Sequence, residues 1–178
     1  SNPATNNLGS IHDNTVYNLT ITNTSSGYGY IYGIYSYYNN LFYNNTAYNF
    51  TVNAATGYGY GYGLYTYGAS TGSNVYKNKV YNVTMAGTSG YFYGLYVSGA
   101  GNAYAYNNYI SDLKSPASTS TTGLNGIYVG GGTNVGLYYN TVFLNSTSSS
   151  TAAWNSSAIY ASTTPILDLR NNNFVNLC

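Results

Sequence analysis

The sequence predicts an all-β fold in which short parallel strands wind into a solenoid, or parallel β-helix, of about 5.5 coils. Three observations predict it: a motif that recurs about every 31 residues, apolar columns at fixed places in each repeat, and a strand-forming composition. Tyrosine accounts for 26 of the 178 residues, and charged residues make up only 4%. Tyr, Thr, Val and Ile favour strands. The length suits one domain, which we assign to residues 1–178.

The repeat is marked by an asparagine that we call the anchor. Anchors follow one another at intervals of 31, 33, 30, 32 and 32 residues, and the segments after them are alike. The six anchors are Asn14, Asn45, Asn78, Asn108, Asn140 and Asn172. We expect their side chains to form a hydrogen-bonded ladder along the solenoid axis. We also expect them to adopt the left-handed conformation that a sharp bend between strands requires.

Each repeat carries three apolar columns whose neighbours are polar or tyrosine, as in strands with one buried face. The first column lies three residues before the anchor and contains Ile11, Phe42, Val75, Ala105, Leu137 and Leu169. The second lies two residues after it and contains Val16, Ala47, Val80, Ile110, Val142 and Phe174. The third is the middle of a Gly-(Ile/Leu)-Tyr motif and contains Ile34, Leu64, Leu95, Ile127 and Ile159. Three columns predict three short strands per coil, which form a core only by stacking.

The glycine at the start of the Gly-(Ile/Leu)-Tyr motif predicts a close approach between the backbones of neighbouring coils. It recurs at Gly33, Gly63, Gly94 and Gly126, and Ala158 replaces it in the last repeat. Segments 22–28, 54–57 and 115–122 vary in length and are rich in Ser, Thr, Ala and Gly. We predict that they are loops on one side of the coil.

Tyrosine also recurs in columns that point away from the core. The last position of the Gly-(Ile/Leu)-Tyr motif is tyrosine in all five repeats. We predict that this column is exposed, and it contains Tyr35, Tyr65, Tyr96, Tyr128 and Tyr160. Shorter columns contain Tyr43, Tyr76, Tyr106 and Tyr138, and Tyr17, Tyr48 and Tyr81. In one interpretation the rings stack along the axis and cover one another. In the other they form an aromatic platform that binds sugars or another fibre.

The Asn-x-(Val/Ile)-Tyr-Asn turns, the Gly-(Ile/Leu)-Tyr strands and the segment from Pro165 to Asn176 resemble a known family. The chain is similar to right-handed parallel β-helix repeats of the pectate-lyase-like superfamily, in particular to those of large secreted bacterial surface and adhesin proteins. The resemblance covers residues 9–178. It implies right-handed winding and an extracellular or cell-surface location. Because the superfamily includes lyases, hydrolases, adhesins and tailspikes, it implies no single activity.

The ionisable residues do not suggest an enzyme. Lyases of this superfamily use clustered aspartates with Lys or Arg, and glycoside hydrolases need close carboxylates. Here Asp13, Asp112 and Asp168 occupy different positions in the coil, and adjacent His12 and Asp13 are expected on opposite strand faces. We therefore expect no catalytic site, cofactor or metal. A net charge of +1 argues against nucleic-acid binding, and no apolar run is long enough to span a membrane.

The function that the sequence favours is a non-enzymatic extracellular structural protein whose copies stack head to tail into a filament. The reason is that both ends of the chain interrupt a coil, and neither has a capping segment. The first alternative is an adhesive or carbohydrate-binding module of a larger secreted protein. The second is an enzyme whose active residues lie outside this segment.

Glycans, covalent or bound, are further predicted partners. Seven Asn-x-Ser/Thr sites are glycosylation candidates, a number close to chance: Asn18, Asn23, Asn44, Asn49, Asn82, Asn145 and Asn155. A carbohydrate coat would counter association of a chain with so little charge. The single cysteine, Cys178, is either a free thiol or a candidate for a disulfide between subunits.

Overall fold

The structure is a computed structural model that describes residues 9–23, 28–54, 58–68, 72–121, 123–149, 154–162 and 165–178. Strands make up 72% of these residues, and the coils stack as a parallel β-solenoid of about 5 turns with a spacing of about 31 residues. The predicted fold class is therefore confirmed. No helix occurs in the described ranges, and so none there is long and apolar enough to cross a membrane.

The strands form three ladders, one for each side of the coil. The first ladder precedes the anchors and contains β1 (Gly9–His12), the end of β3 (Tyr28–Tyr43), β6 (Ser73–Tyr76), β9 (Ala103–Tyr106), β13 (Asn134–Tyr138) and β16 (Ile166–Arg170). The second follows the anchors and contains β2 (Thr15–Asn23), β4 (Thr46–Ala54), β7 (Lys79–Met85), β10 (Tyr109–Ser111) with β11 (Leu113–Lys114), β14 (Thr141–Leu144) and β17 (Asn173–Asn176). The third contains the start of β3, β5 (Tyr58–Gly68), β8 (Ser89–Gly99), β12 (Leu124–Val129) and β15 (Ser156–Ala161).

The core runs along the axis inside the three ladders. All three predicted apolar columns are paired in register, as in Phe42 with Val75 and Leu64 with Leu95, and their members in the middle coils are buried. The core also contains two apolar columns that were not predicted from the sequence. One joins Leu19, Phe50, Val83 and Leu113, and another joins Ile31, Gly61, Phe92 and Leu124. The glycine in the second of these columns hides its apolar pattern.

The repeated glycine brings neighbouring coils together, as expected. An ideal Cβ built on Gly33, Gly63, Gly94 or Gly126 would lie 2.3–2.7 Å from the carbonyl oxygen at the same position of the next coil. Real Cβ atoms do not approach an oxygen so closely, so only glycine allows this spacing. Ala158 takes the position in the last described coil.

The expectation of left-handed anchors is wrong. The left-handed residue is the one immediately before each anchor, and its positive φ lies between 52° and 58°. These residues are Asp13, Asn44, Lys77, Asn107, Tyr139 and Asn171. The bend is therefore completed one residue earlier, and the anchor lies directly before the next strand, with its side chain buried in the four inner coils. Lys77 and Tyr139 are among these residues, so the left-handed conformation at the bend does not depend on one type of side chain.

Candidate functional site

The anchors form a continuous ladder at the corner between the first and second strand ladders. From Asn14 to Asn140, the backbone N–H and the side-chain Nδ2 of each anchor donate to Oδ1 of the next anchor, at 2.9–3.3 Å. From Asn45 onward, Nδ2 also donates to a backbone carbonyl in the preceding coil, as from Asn78 to Phe42 at 2.9 Å. The four inner anchors are buried, so these bonds replace the water that their amides lose on folding.

This ladder has a direction, because every bond between anchors runs toward the higher residue number. At one end Asn172 donates through Nδ2 to the Leu137 carbonyl at 2.7 Å, and no described anchor accepts from its backbone N–H. At the other end, no described anchor donates to Oδ1 of Asn14. The coil of Asn172 thus presents hydrogen-bond donors, and the coil of Asn14 presents an acceptor.

A second asparagine column lies four residues after the anchors. Asn18, Asn49 and Asn82 all have positive φ, between 55° and 58°. Nδ2 of Asn82 donates to Oδ1 of Asn49 at 3.3 Å, and Nδ2 of Asn49 donates to Oδ1 of Asn18. A stacked turn therefore accounts for the regular spacing of these three glycosylation candidates.

The other glycosylation candidates lie in different surroundings. Asn44 donates through Nδ2 to Asp13 at 3.1 Å, whereas Asn145 and Asn155 are exposed on the last two coils. The side chain of Asn23 lies outside the described part of the chain. A glycan replaces one of the two hydrogens on Nδ2, so modification of Asn44, Asn49 or Asn82 would leave one N–H for the hydrogen bond that each donates here.

The tyrosine columns stack along the axis. From Tyr35 through Tyr65, Tyr96 and Tyr128 to Tyr160, successive ring centroids are 4.4–5.3 Å apart and the planes are within 24° of parallel. Only the two end rings are exposed, and the three rings between them are half-buried. The rings use their faces on each other, so the column corresponds to axial stacking and not to an open platform.

The shorter tyrosine columns have the same axial geometry. Tyr43, Tyr76 and Tyr106 stack at 4.8 Å, and His12 extends this column by stacking on Tyr43 at 4.7 Å. Tyr17, Tyr48 and Tyr81 stack at 5.0–5.3 Å on the second ladder.

The third ladder carries additional tyrosines that the sequence analysis did not assign. Tyr32 stacks on Tyr62 at 4.8 Å, and both rings are nearly perpendicular to the neighbouring Tyr35 and Tyr65, with interplanar angles of 88° and 79°. The two columns run side by side, and the ring planes of one are nearly perpendicular to those of the other. Aromatic rings favour this herringbone arrangement. The Tyr-x-Tyr alternation in 28–32, 58–62 and 91–93 was the sequence signal for it.

One tyrosine column stops before the end of the solenoid. The position of Tyr32 is Tyr62 and then Tyr93 in the next coils, but Asn125 and Ser157 in the last two. These smaller residues line a cleft of about 210 Å³, together with Tyr93, Tyr128, Tyr160, Thr121, Asn155 and Ser156. All eight lining residues are uncharged.

Two buried tyrosines of the third ladder, Tyr62 and Tyr93, hold their hydroxyl protons more strongly than a free tyrosine does. Burial raises the pKa of Tyr62 and Tyr93 far above the ordinary value for tyrosine. For Tyr62 a hydrogen bond with Tyr91, 2.9 Å between the hydroxyl oxygens, raises the pKa further. Burial therefore disfavours phenolate formation at Tyr62 and Tyr93 in the folded protein.

The three aspartates pair locally with basic side chains. Lys114 Nζ lies 2.8 Å from Asp112, and Arg170 Nη2 lies 2.6 Å from Asp168. Hydrogen bonding to Arg170 lowers the pKa of Asp168. Among the residues that the structure describes, no group of three or more His, Cys, Asp or Glu side chains could hold a metal ion.

The expectation that His12 and Asp13 lie on opposite faces is wrong. His12 Nδ1 lies 2.7 Å from Asp13 Oδ2. Strand alternation stops at Asp13, whose φ of +58° turns its side chain back toward His12. The pKa of Asp13 is lowered by its hydrogen bond with His12 and by a second one from Asn44.

Cys178 lies on the last coil, where its exposed Sγ accepts a hydrogen bond from the Ser146 N–H at 3.3 Å. Ser146 Oγ accepts in the same way from the Ser115 N–H at 3.0 Å. The thiol thus continues a column of turn hydroxyls. A disulfide between subunits stays a prediction.

The stacked coils, the anchor ladder and the tyrosine columns define a tyrosine-rich parallel β-solenoid repeat protein. Beyond this class, comparison of the chain with protein-family models, with curated proteins and with solved structures finds no match in any of the three.

Proposed function

We propose that this chain is a non-enzymatic structural protein of an extracellular surface, in which copies stack head to tail into a filament. The right-handed winding, the likeness to repeats of secreted surface proteins and a glycan coat belong to the same proposal. The observation that carries it is the direction of the anchor ladder. Donors on the coil of Asn172 match the acceptor on the coil of Asn14 in a second copy. Two like ends would bring donor to donor or acceptor to acceptor.

Apolar side chains on the end coils supply a driving force for this contact. Leu137 is fully buried, whereas Leu169, at the same position of the next coil, is 49% exposed. Ile166 and Leu177 on that coil are 69% and 61% exposed. A further coil would remove such surface from water and pair the open strand edges. A head-to-tail contact whose rotation does not close gives an open fibre.

The third ladder limits the shape of this junction. Ala158 takes the position of the repeated glycine, whose Cβ would be 2.3–2.7 Å from the next coil's carbonyl oxygen. A second copy must therefore lie further from β15 than neighbouring coils lie from each other. The first and second ladders, with the anchor corner between them, carry the contact.

The test is sedimentation velocity and negative-stain electron microscopy over a concentration series. The proposal expects fibres that lengthen with concentration. Leu169→Lys places a charge on the exposed end coil and should leave folded monomers. Phe143→Lys is the matched control, since Phe143 is 40% exposed on the side of the solenoid, and it should still form fibres. A parent chain that stays monomeric at all concentrations, or variants with equal effects, would overturn the proposal.

A further inference from the structure

We infer that a slot at Ser111, between Tyr81 and Phe143 on the second ladder, binds one planar aromatic ring that carries a carboxylate, as hydroxybenzoates do. The slot lies on the side of the solenoid, away from the end coils that the proposed filament contact uses. Three observations carry the inference: a gap in an aromatic column, a hydroxyl without a partner at its floor, and an unpaired cation at its rim.

The gap interrupts a regular stack of rings. Tyr17, Tyr48 and Tyr81 follow one another with ring centroids 5.0–5.3 Å apart. The register of the flanking strands puts Ser111 at this position in the next coil and Phe143 in the coil after it. Tyr81 and Phe143 are thus two strand spacings apart, roughly 9.6 Å, and a ring between them would lie about 4.8 Å from each. This is close to the spacing of the column itself, so the slot has room for one aromatic ring.

The rings that border the slot do not use these faces on each other. Tyr81 stacks on Tyr48, and its opposite face, toward Ser111, meets no ring of a described residue. Phe143 is 40% exposed and stacks on no described ring. An inserted aromatic ring would therefore add stacking contacts without breaking an existing one.

Ser111 forms the floor of the slot. It is only 7% exposed, and its hydroxyl has no hydrogen-bond partner among the described residues. Loss of water from a hydroxyl that has no other partner costs free energy. A ligand with a hydroxyl on the inward edge of its ring would supply that partner, because each hydroxyl both donates and accepts.

The rim of the slot is basic. The cavity around Ser111 has a volume of about 670 Å³ and is lined by Lys79, Tyr81, Tyr109, Ser111 and Asp112. Small-molecule sites have volumes of roughly 300–1,000 Å³, so substituents on the ring also fit. Asp112 is already paired with Lys114, whose Nζ lies 2.8 Å away. Lys79 forms no ion pair with a described residue, so a carboxylate on the ligand gains a charge-assisted hydrogen bond there.

Other ligand classes use fewer of these features. A saturated ring has no π-system to stack against Tyr81 and Phe143. A neutral aromatic ring leaves Lys79 without a counter-charge, and a cationic one is repelled by it. An aromatic hydroxy acid uses the two ring faces, the Ser111 hydroxyl and the Lys79 ammonium together.

The test is saturation-transfer NMR with 4-hydroxybenzoate as the probe. Each comparison probe lacks one feature: cyclohexanecarboxylate lacks the aromatic ring, benzyl alcohol lacks the carboxylate, and methyl glucoside lacks both. Contacts of this size give dissociation constants of about 1 mM, which titrations by this method measure. We expect 4-hydroxybenzoate to bind at least about threefold more tightly than any comparison probe. No binding of 4-hydroxybenzoate, or equal binding of any comparison probe, would overturn the inference.

Two variants of the aromatic column locate the binding. Ser111→Tyr fills the gap with a ring and should weaken binding at least about tenfold, without loss of the native circular dichroism spectrum. Tyr81→Leu removes one wall and should weaken binding roughly three- to tenfold. Tyr17→Leu is the matched control, since Tyr17 is 52% exposed at the far end of the same column, and it should bind as the parent does. Binding by Ser111→Tyr equal to that by Tyr17→Leu would place the ligand elsewhere and refute the assignment, even if Tyr81→Leu does not fold.

A pair of lysine variants tests the charge at the rim. Lys79→Gln should weaken binding of 4-hydroxybenzoate about threefold and leave binding of benzyl alcohol unchanged. Lys77→Gln is the matched control, because Lys77 is exposed, lies two residues away and does not line the cavity. Equal weakening by the two variants would show an effect of net charge alone and contradict a role for Lys79.

The same titration on Leu169→Lys separates this inference from filament formation. Its monomers should bind 4-hydroxybenzoate as the parent does, because Leu169 does not line the cavity. Loss of binding in monomers would show that the site needs a second copy and would overturn the inference as stated. A parent chain that forms no fibres but binds the probe would refute the filament alone.

Discussion

Replacing Asn108 with alanine tests how much stability the anchor ladder supplies. Oδ1 of Asn108 accepts from the N–H and Nδ2 of Asn78, at 3.0 and 2.9 Å. Its Nδ2 donates to the carbonyl of Val75 and to Oδ1 of Asn140, both at 2.9 Å. The variant loses these four bonds and keeps the one from its own backbone N–H to Asn140.

A net value of about 1 kcal/mol per hydrogen bond gives a loss of about 4 kcal/mol in the free energy of unfolding. Asn108 is only 2% exposed, so water does not replace the lost partners. The unpaired groups on Asn78 and Val75 add to the cost. The total free energy of unfolding of native proteins is about 5–15 kcal/mol, so this loss is a large fraction of the stability.

The assay is equilibrium urea unfolding followed by circular dichroism, with the shift in midpoint multiplied by the mean slope. Asn102→Ala is the control. The Asn102 side chain is exposed and accepts one hydrogen bond, from Asn134 Nδ2 at 2.8 Å. Loss of this bond should lower the free energy of unfolding by at most about 1 kcal/mol. If Asn108→Ala does not fold, Asn172→Ala, which loses three bonds at the part-buried end of the ladder, takes its place. A variant no less stable than Asn102→Ala would refute the reasoning.

Two further predictions concern the glycines and the tyrosines. Gly63→Ala puts a Cβ 2.6 Å from the Gly94 carbonyl oxygen and 2.5 Å from Val80, and should lower stability by about 1–3 kcal/mol. Gly9→Ala, with nothing within 4 Å, should leave the melting temperature unchanged, and equal melting of the two variants would contradict this. Because the pKa of Tyr62 and Tyr93 is raised, the native state keeps protons that the unfolded chain releases above about pH 10. The stability that these two tyrosines contribute is complete below that pH and is lost as the pH rises further. A titration followed by phenolate absorbance should therefore show some tyrosines that ionise late, together with unfolding. A single transition of all 26 tyrosines with the fold intact would disprove it.

Much of the fold could be predicted because one period governs the whole chain. A fixed coil length puts residues such as Val16, Ala47 and Val80 at the same place in successive coils, so their shared chemistry identifies the buried face. The repeated glycine could be interpreted for the same reason. Register in a solenoid is a property of the repeat and needs no knowledge of distant contacts.

The features that were missed depend on mixed columns and on local backbone geometry. Gly61 leaves room that the side chains of Ile31 and Phe92 occupy, so that column has no uniform apolar signal. The pairing of His12 with Asp13 depends on one φ angle that the residue names do not specify. The cleft exists because Asn125 and Ser157 have smaller side chains than Tyr93, which holds the same position in an earlier coil. This difference becomes visible only once the three residues are aligned.

The one-way direction of the anchor ladder also gives the solenoid an electrical polarity. The dipoles of β-sheets largely cancel, whereas aligned amides add together, as they do in a helix. Five successive bonds between Asn14 and Asn172 point the same way. They leave a partial positive charge on the coil of Asn172 and a partial negative charge on the coil of Asn14. In a filament this dipole would grow with each added copy, so its two ends would attract opposite ions and extend at different rates.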